Sequence, residues 1–210
     1  SAREIPSEPE VKSFDELAVA LPEDNHSFNS IALGLMKDLP RPQKGTKTEQ
    51  RAKLMKIIHA KEYEASAKVV GGKGAVAHYQ FTLGNEWTVP GTVFTPPDAK
   101  ATTLLIADTG RAKQSAAVAK LLGARYRVIA VDPFFFGESK IKSRDFLHVI
   151  LMHAVGERAL GVQSGQLAAI AGWAKKTFGG TVGLQSIGPR LSVAARLAAV
   201  QSDAIESVTL

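Results

Sequence analysis

Two hydrophobic rhythms run along this chain, and they meet near residue 70. Up to about residue 45 the sequence is polar and broken by Pro6, Pro9, Pro22, Pro40 and Pro42. Only short apolar patches interrupt it (Phe14, Leu17, Leu21; Ile31, Leu33, Leu35, Met36). Prolines at that density leave room for one or two short helices. A longer helix is expected over 46–63, with Leu54, Ile57 and Ile58 on its apolar face and Lys and Arg around them. Gly71-Gly72-Lys73-Gly74 ends the helical spacing. Runs at 75–83 and 87–94 then read as strands joined by a Gly84-Asn85-Glu86 turn, and Pro96-Pro97-Asp98 stops the second.

From residue 100 onward the rhythm changes. Short apolar runs at 102–107, 127–131, 181–185 and 205–210 alternate with helical stretches at 112–122, 164–178 and 189–199. Strands that are apolar throughout, spaced by helices, mean a parallel sheet covered on both faces. The expected fold class is therefore α/β: a three-layer sandwich whose mostly parallel sheet carries an antiparallel N-terminal hairpin. Residues 1–70 are expected to form a helical extension and residues 71–210 the sheet domain.

Composition narrows the function classes. The chain has 210 residues, of which 45% are apolar and 22% charged, enough for one such domain with its extension. No run approaches the roughly 18 apolar residues of a membrane span, so none is expected. The formal charge of +6 would suit nucleic acid. Its excess, however, sits mostly between Lys37 and Lys73, with smaller groups at 140–144 and 175–176, and aromatic residues are not interleaved with it. Solvated helix faces explain that pattern better than a nucleic-acid footprint. The absence of cysteine excludes disulfides, zinc–thiolate sites and a thiol nucleophile. It leaves the compartment open, and Ser1-Ala2-Arg3-Glu4 carries no recognisable signal peptide. No G-x-G-x-x-G follows the run at 102–107 and no Walker lysine is present, so neither cofactor nor metal is expected.

One segment concentrates the candidate chemistry, Thr181-Val-Gly-Leu-Gln-Ser186-Ile187-Gly188-Pro-Arg190. A strand leads into Ser186, a glycine follows, and an Ala-rich helix begins at once. Such a turn lifts a serine oxygen to a helix N-terminus, where the next backbone N–H, that of Ile187, is placed to meet an oxyanion. A serine capping the helix would give the same pattern.

Leu184-Gln185-Ser186-Ile187-Gly188 resembles the G-x-S-x-G elbow of the α/β-hydrolase superfamily, with Leu184 in place of the first glycine. Asp132-Pro-Phe-Phe135-Phe-Gly137-Glu-Ser139 is similar to the family's D-x-x-G-x-G-x-S loop, with Phe135 in place of its first glycine. In the family that aspartate holds the loop and is not catalytic. Leu105-Ile-Ala-Asp108-Thr-Gly110-Arg111 stands where relatives carry His-Gly, so the resemblance makes Gly110 the second oxyanion donor, without the histidine. The likeness runs from about Val76 to Leu210. Trp87 to Pro97, and the helical stretch from Gly161 to Trp173, bring it nearest to the bacterial acetyl xylan esterase-like and prolyl-oligopeptidase-like hydrolases.

That resemblance implies an incomplete α/β-hydrolase fold. The family's acid and histidine follow the nucleophile, whereas all five histidines here precede Ser186. Serine without imidazole is a poor nucleophile. His148 and His153, with Asp145 nearby, fall in the connection before the 164–178 helix and read as lid or helix-face residues. His26, His59 and His78 read as surface or packing residues. An open last strand at 205–210 would be an exposed edge, so a C-terminal remainder, on the same chain or as a partner subunit, is expected to complete the fold. Two functions remain. One is a serine ester hydrolase acting on an acetylated carbohydrate, with Ser186 as nucleophile and Ile187 and Gly110 as backbone donors. The other is a pseudo-hydrolase that keeps the fold for binding or assembly, which Leu184, Phe135 and the missing His-Gly favour.

Overall fold

The computed structural model describes residues 8–39 and 45–210. Pro6, Pro40, Pro42 and the Ser1–Glu4 start lie outside the described residues. The chain divides into two units, Ser1–Lys44 and Gly45–Leu210. In the first, a 3-10 turn at Glu8–Glu10 precedes helix α1 (Phe28–Asp38), whose start is capped by the Ser27 hydroxyl accepting the Ser30 N–H at 3.1 Å.

The second unit opens with α2 (Lys47–Ile57) on a capping box: Thr46 Oγ1 accepts the Glu49 N–H, and the Glu49 carboxylate accepts the Thr46 N–H. The Thr46 N–H and, after it, the Thr46 hydroxyl both donate to the Glu49 carboxylate and hold it below its usual range. Arg51 donates to the Gln201 carbonyl at 2.6 Å, tying this helix to the far end of the chain. Helix α2 stops short of the expected residue 63. A strand the pattern did not announce, β1 (Ala65–Lys73), follows it. Its alternation is weak, with only Ala65, Ala67 and the bulge between Val69 and Gly71 to mark it. Strands β2 (Val76–Leu83) and β3 (Trp87–Phe94) form the expected hairpin, so the antiparallel end of the sheet has three strands.

Next come β4 (Ala101–Ala107), α3 (Ser115–Gly123), β5 (Tyr126–Val131), α4 (Asp145–Ala154), α5 (Ala159–Phe178), β6 (Val182–Ile187), α6 (Pro189–Gln201) and β7 (Ile205–Thr209). They complete a seven-stranded mixed sheet in the order β1-β2-β3-β5-β4-β6-β7. The pairs β4–β5, β4–β6 and β6–β7 are parallel. Alternation along β4 and β5 divides the core between the two faces. Leu104, Ile106, Ile129 and Val131 pack under α5 and α6 with Leu167, Ile170, Leu191 and Ala195, while Leu105, Val128 and Ala130 meet Val118 of α3. This is the open three-layer α/β sandwich expected of the hydrolase-like class. Because β4, β5 and β6 all point the same way, the loops after Ala107, Val131 and Ile187 gather at one sheet edge.

Candidate active site

The three loops at that edge are the ones singled out by motif. Ser186 is not at the turn. It lies inside β6, opposite Ile106 of β4, with 2% of its surface exposed, and its Oγ has no hydrogen-bond partner among the described residues. The turn itself falls two residues later. Gly188, at φ 107° and ψ 152°, joins the strand to α6, and Pro189 occupies the first helical position. Proline there is preorganised for the helix and gives up an N–H that would have no partner. A Gly-Pro pair marks a helix start, and this signal in the sequence places the turn at 188. Leu184, 1% exposed, is ordinary sheet core. Its poor match to the elbow glycine therefore strains nothing.

Asp108 occupies the space above the turn. Its carboxylate accepts the backbone N–H groups of Arg190 at 3.0 Å and Leu191 at 2.8 Å, while its own N–H donates to the Ile187 carbonyl at 2.9 Å. A carboxylate supplied from another loop thus caps α6, satisfying two of its first N–H groups and meeting the positive end of its dipole. A Cβ on Gly188 would stand 2.6 Å from the Asp108 Cγ. No residue with a side chain fits there as the loops stand. Nothing in the sequence marks Asp108 as a cap for a helix that begins 81 residues later, since the contact exists only once β4 and β6 pair.

Gly110 is buried, at φ 81°, and its N–H already donates to the Ala107 carbonyl at 2.8 Å. A Cβ there would lie 2.6 Å from Gly137 Cα, so the residue serves the close approach of two loops. The third loop is organised by Asp132, 1% exposed. Its Oδ1 accepts the Arg111 N–H at 2.8 Å, and its Oδ2 accepts the Arg111 guanidinium at 2.5 Å and the Glu138 N–H at 3.1 Å. Arg111 also pairs with Glu138 at 2.9 Å, and Ser139 donates to the Asp132 carbonyl at 2.7 Å. Phe135 sits at φ 68°, so the backbone keeps a left-handed residue where the resembling motif has glycine. Its ring packs against Phe134, with centroids 4.0 Å apart. The Arg190 guanidinium lies 4.8 Å from the Phe136 ring centre, bridging the loops that follow Ile187 and Val131.

The histidines stand elsewhere. His78 Nδ1 lies 3.2 Å from Thr92 Oγ1 and His26 Nδ1 lies 3.4 Å from Ser30 Oγ. His148 borders a groove with Trp87 and Phe134, and His59 and His153 share a small hollow with Glu157. Among the described residues no group of three or more His, Asp or Glu is placed to hold a metal ion.

No protein-family model matches the chain, and no curated protein does. Solved structures do match in fold. A Bacteroides fragilis protein assigned as an acetyl xylan esterase superposes with a TM-score of 0.66 at 12% identity, over 90% of this chain and 61% of that one. Acetyl xylan esterase 1 of Thermoanaerobacterium sp. gives 0.56 at 13% identity, over 80% of this chain and 58% of that one. This chain thus spans about three-fifths of the length of either. Its fold is α/β-hydrolase-like, as the strand order and the strand–turn–helix at Gly188 already indicated.

Proposed function

We propose that this chain is a non-catalytic hydrolase-like unit, kept for binding or assembly, in which a protein carboxylate occupies the place of the oxyanion. The observation that carries this reading is the Asp108 carboxylate on the Arg190 and Leu191 N–H groups, above a turn residue that has no side chain. In a serine hydrolase the nucleophile stands on the strand-to-helix turn, and the helix N-terminus faces the oxygen that develops charge. Here the turn residue is Gly188, which offers no nucleophile. The adjacent donors already hold an anion, and a second anion beside it would be repelled. Gly110 adds to the case, because its N–H is bonded within its own loop. With Gly188 at the centre, Ser186 takes the place of the small residue that precedes the turn, where strand and helix crowd. Its burial suits that part.

The competing reading is a serine ester hydrolase acting on acetylated carbohydrate, with Ser186 as nucleophile, the Ile187 and Gly110 N–H groups as donors, and acid and histidine supplied from outside this chain. One observation favours it: Ser186 Oγ is buried without a partner at the functional edge of the sheet. To react, Ser186 would have to leave its register with Ile106, and Asp108 would have to vacate the helix end.

Hydrolysis of p-nitrophenyl acetate by the complete native protein, with whatever supplies acid and histidine present, separates the two. The expected result is the same background rate for wild type and Ser186→Ala. A rate that falls by roughly a millionfold on that substitution, the scale of losing a serine nucleophile, would establish the esterase instead.

A further inference from the structure

Helix α4, in the connection after the Asp132 loop, has an apolar side that the described residues of its own unit leave uncovered. Phe146, Leu147, Ile150, Leu151 and Val155 follow one another at i, i+1, i+4, i+5 and i+9 and so share one stripe. They are 59%, 39%, 58%, 63% and 75% exposed. On the other side, His148 and Met152 line an apolar groove of about 770 Å³ together with Trp87, Phe134 and Gln166. Leu151 and Val155 also border that groove, so the stripe and the groove mouth form one continuous apolar surface. Contiguous exposed patches of this kind mark interaction surfaces.

The charges around the stripe say what kind of partner it fits. Lys140, Lys142 and Arg144 precede the helix and Arg158 follows it, all exposed and none in an ion pair among the described residues. The nearby acids are engaged elsewhere, Glu138 with Arg111 and Glu157 with Lys61. Asp145 alone sits at the helix start, where its carboxylate accepts the Phe146 N–H at 2.9 Å. A second copy is a poor partner. Antiparallel pairing of two stripes would set Lys140, Lys142 and Arg144 of one copy against Arg158 of the other, and parallel pairing would stack Arg144 on Arg144.

We propose that α4 is a membrane-contact element, lying in the interface of an anionic bilayer with the Phe146–Ile150 side inserted and Lys140, Lys142, Arg144 and Arg158 at the headgroups. An apolar stripe about 15 Å long, with bases at both ends and no acid on its face, has the chemistry of an interfacial helix. Each base near an anionic surface adds attraction that falls off within a Debye length. This inference does not depend on whether Ser186 or Gly188 governs the elbow.

Co-sedimentation of the whole chain with vesicles of equimolar phosphatidylcholine and phosphatidylglycerol tests it. The expected result is binding that falls roughly a hundredfold in the Phe146→Asp, Ile150→Asp pair, from two large side chains no longer buried. Replacing Lys140, Lys142 and Arg144 with Gln is expected to lower it by about a hundredfold as well. Both variants change exposed positions, and circular dichroism is expected to show the fold intact. A Phe146→Trp variant reads insertion directly, as a blue shift of its emission on adding vesicles. Three results would overturn the proposal: no binding to the anionic vesicles, binding indifferent to the two Asp substitutions, or a self-associated species that dissolves in that variant while vesicles are ignored.

Discussion

Asp132→Ala is expected to cost about 3–5 kcal/mol of stability, the loss that follows when one member of a buried charged pair is removed. For a chain of this size that corresponds to a fall in Tm of roughly 10 °C. The reason lies in what one carboxylate holds. It accepts two N–H groups of Arg111, main chain and guanidinium, together with the N–H of Glu138, and so it fixes the relative position of two of the three loops at the sheet edge. Without it the Arg111 guanidinium, its side chain 12% exposed, keeps only the outer Glu138 and a long bond from its Nε to Thr92 Oγ1 at 3.4 Å. Asn does not rescue the site, because its amide would point two donor hydrogens at the guanidinium or at the backbone N–H groups already there. Gly137 limits the alternatives further, since a Cβ at that residue would fall 2.1 Å from the Asp132 Cγ. Thermal unfolding of wild type, Asp132→Ala and Asp132→Asn checks the order. Equal Tm values for wild type and Asp132→Asn would mean that charge plays no part in holding these loops.

Gly188→Ser, which writes a serine onto the turn, is expected to destabilise the chain by about 3 kcal/mol and to bring no esterase activity. Part of the cost is backbone: φ 107° with ψ 152° is a region essentially restricted to glycine. The rest is the clash with the Asp108 carboxyl group. Asp108→Ala alone is expected to cost about 1–2 kcal/mol through loss of the α6 cap. Because the two residues contend for the same space, the double variant is expected to be more stable than the sum of the single losses by about 1 kcal/mol or more. A strictly additive cycle, measured by denaturant unfolding, would mean that Asp108 and Gly188 are not in contact.

Much of the fold is legible in the sequence, and the places where it is not have physical causes. Strands that are apolar on both faces announce themselves, as β4 and β5 do around Leu104 and Ile129, and β6 and β7 fall close to the runs marked by Val182 and Ile205. The hairpin of β2 and β3 is equally plain from Gly84-Asn85-Glu86. Strand β1 is not, because Ala-Ser-Ala-Lys offers little alternation and a bulge at Val69 to Gly71 shifts its period. Helix α4 hides for the opposite reason. Phe146 to Met152 is apolar on two sides, so no single face stands out, and its start at Arg144, φ 52°, carries none of the usual capping residues.

The candidate site was half legible. All three loops carry motif residues that the sheet brings to one edge, and Asp132 holds its loop as the resemblance implied. Matching Ser186 to the elbow serine required accepting Leu184 as a misfit. Centring the turn on Gly188 removes that misfit and makes sense of Pro189 as well. Asp108 could not be read in advance, because a cap supplied across paired strands leaves no local pattern.

A turn without a nucleophile is tested most directly by fluorophosphonate labelling of the complete native protein, folded and with any subunit it carries, followed by mapping of any adduct. The expected result is no adduct at Ser186 or anywhere else at the sheet edge. An adduct on Ser186, lost in Ser186→Ala and blocked by prior unfolding, would contradict it and make this chain part of a serine hydrolase.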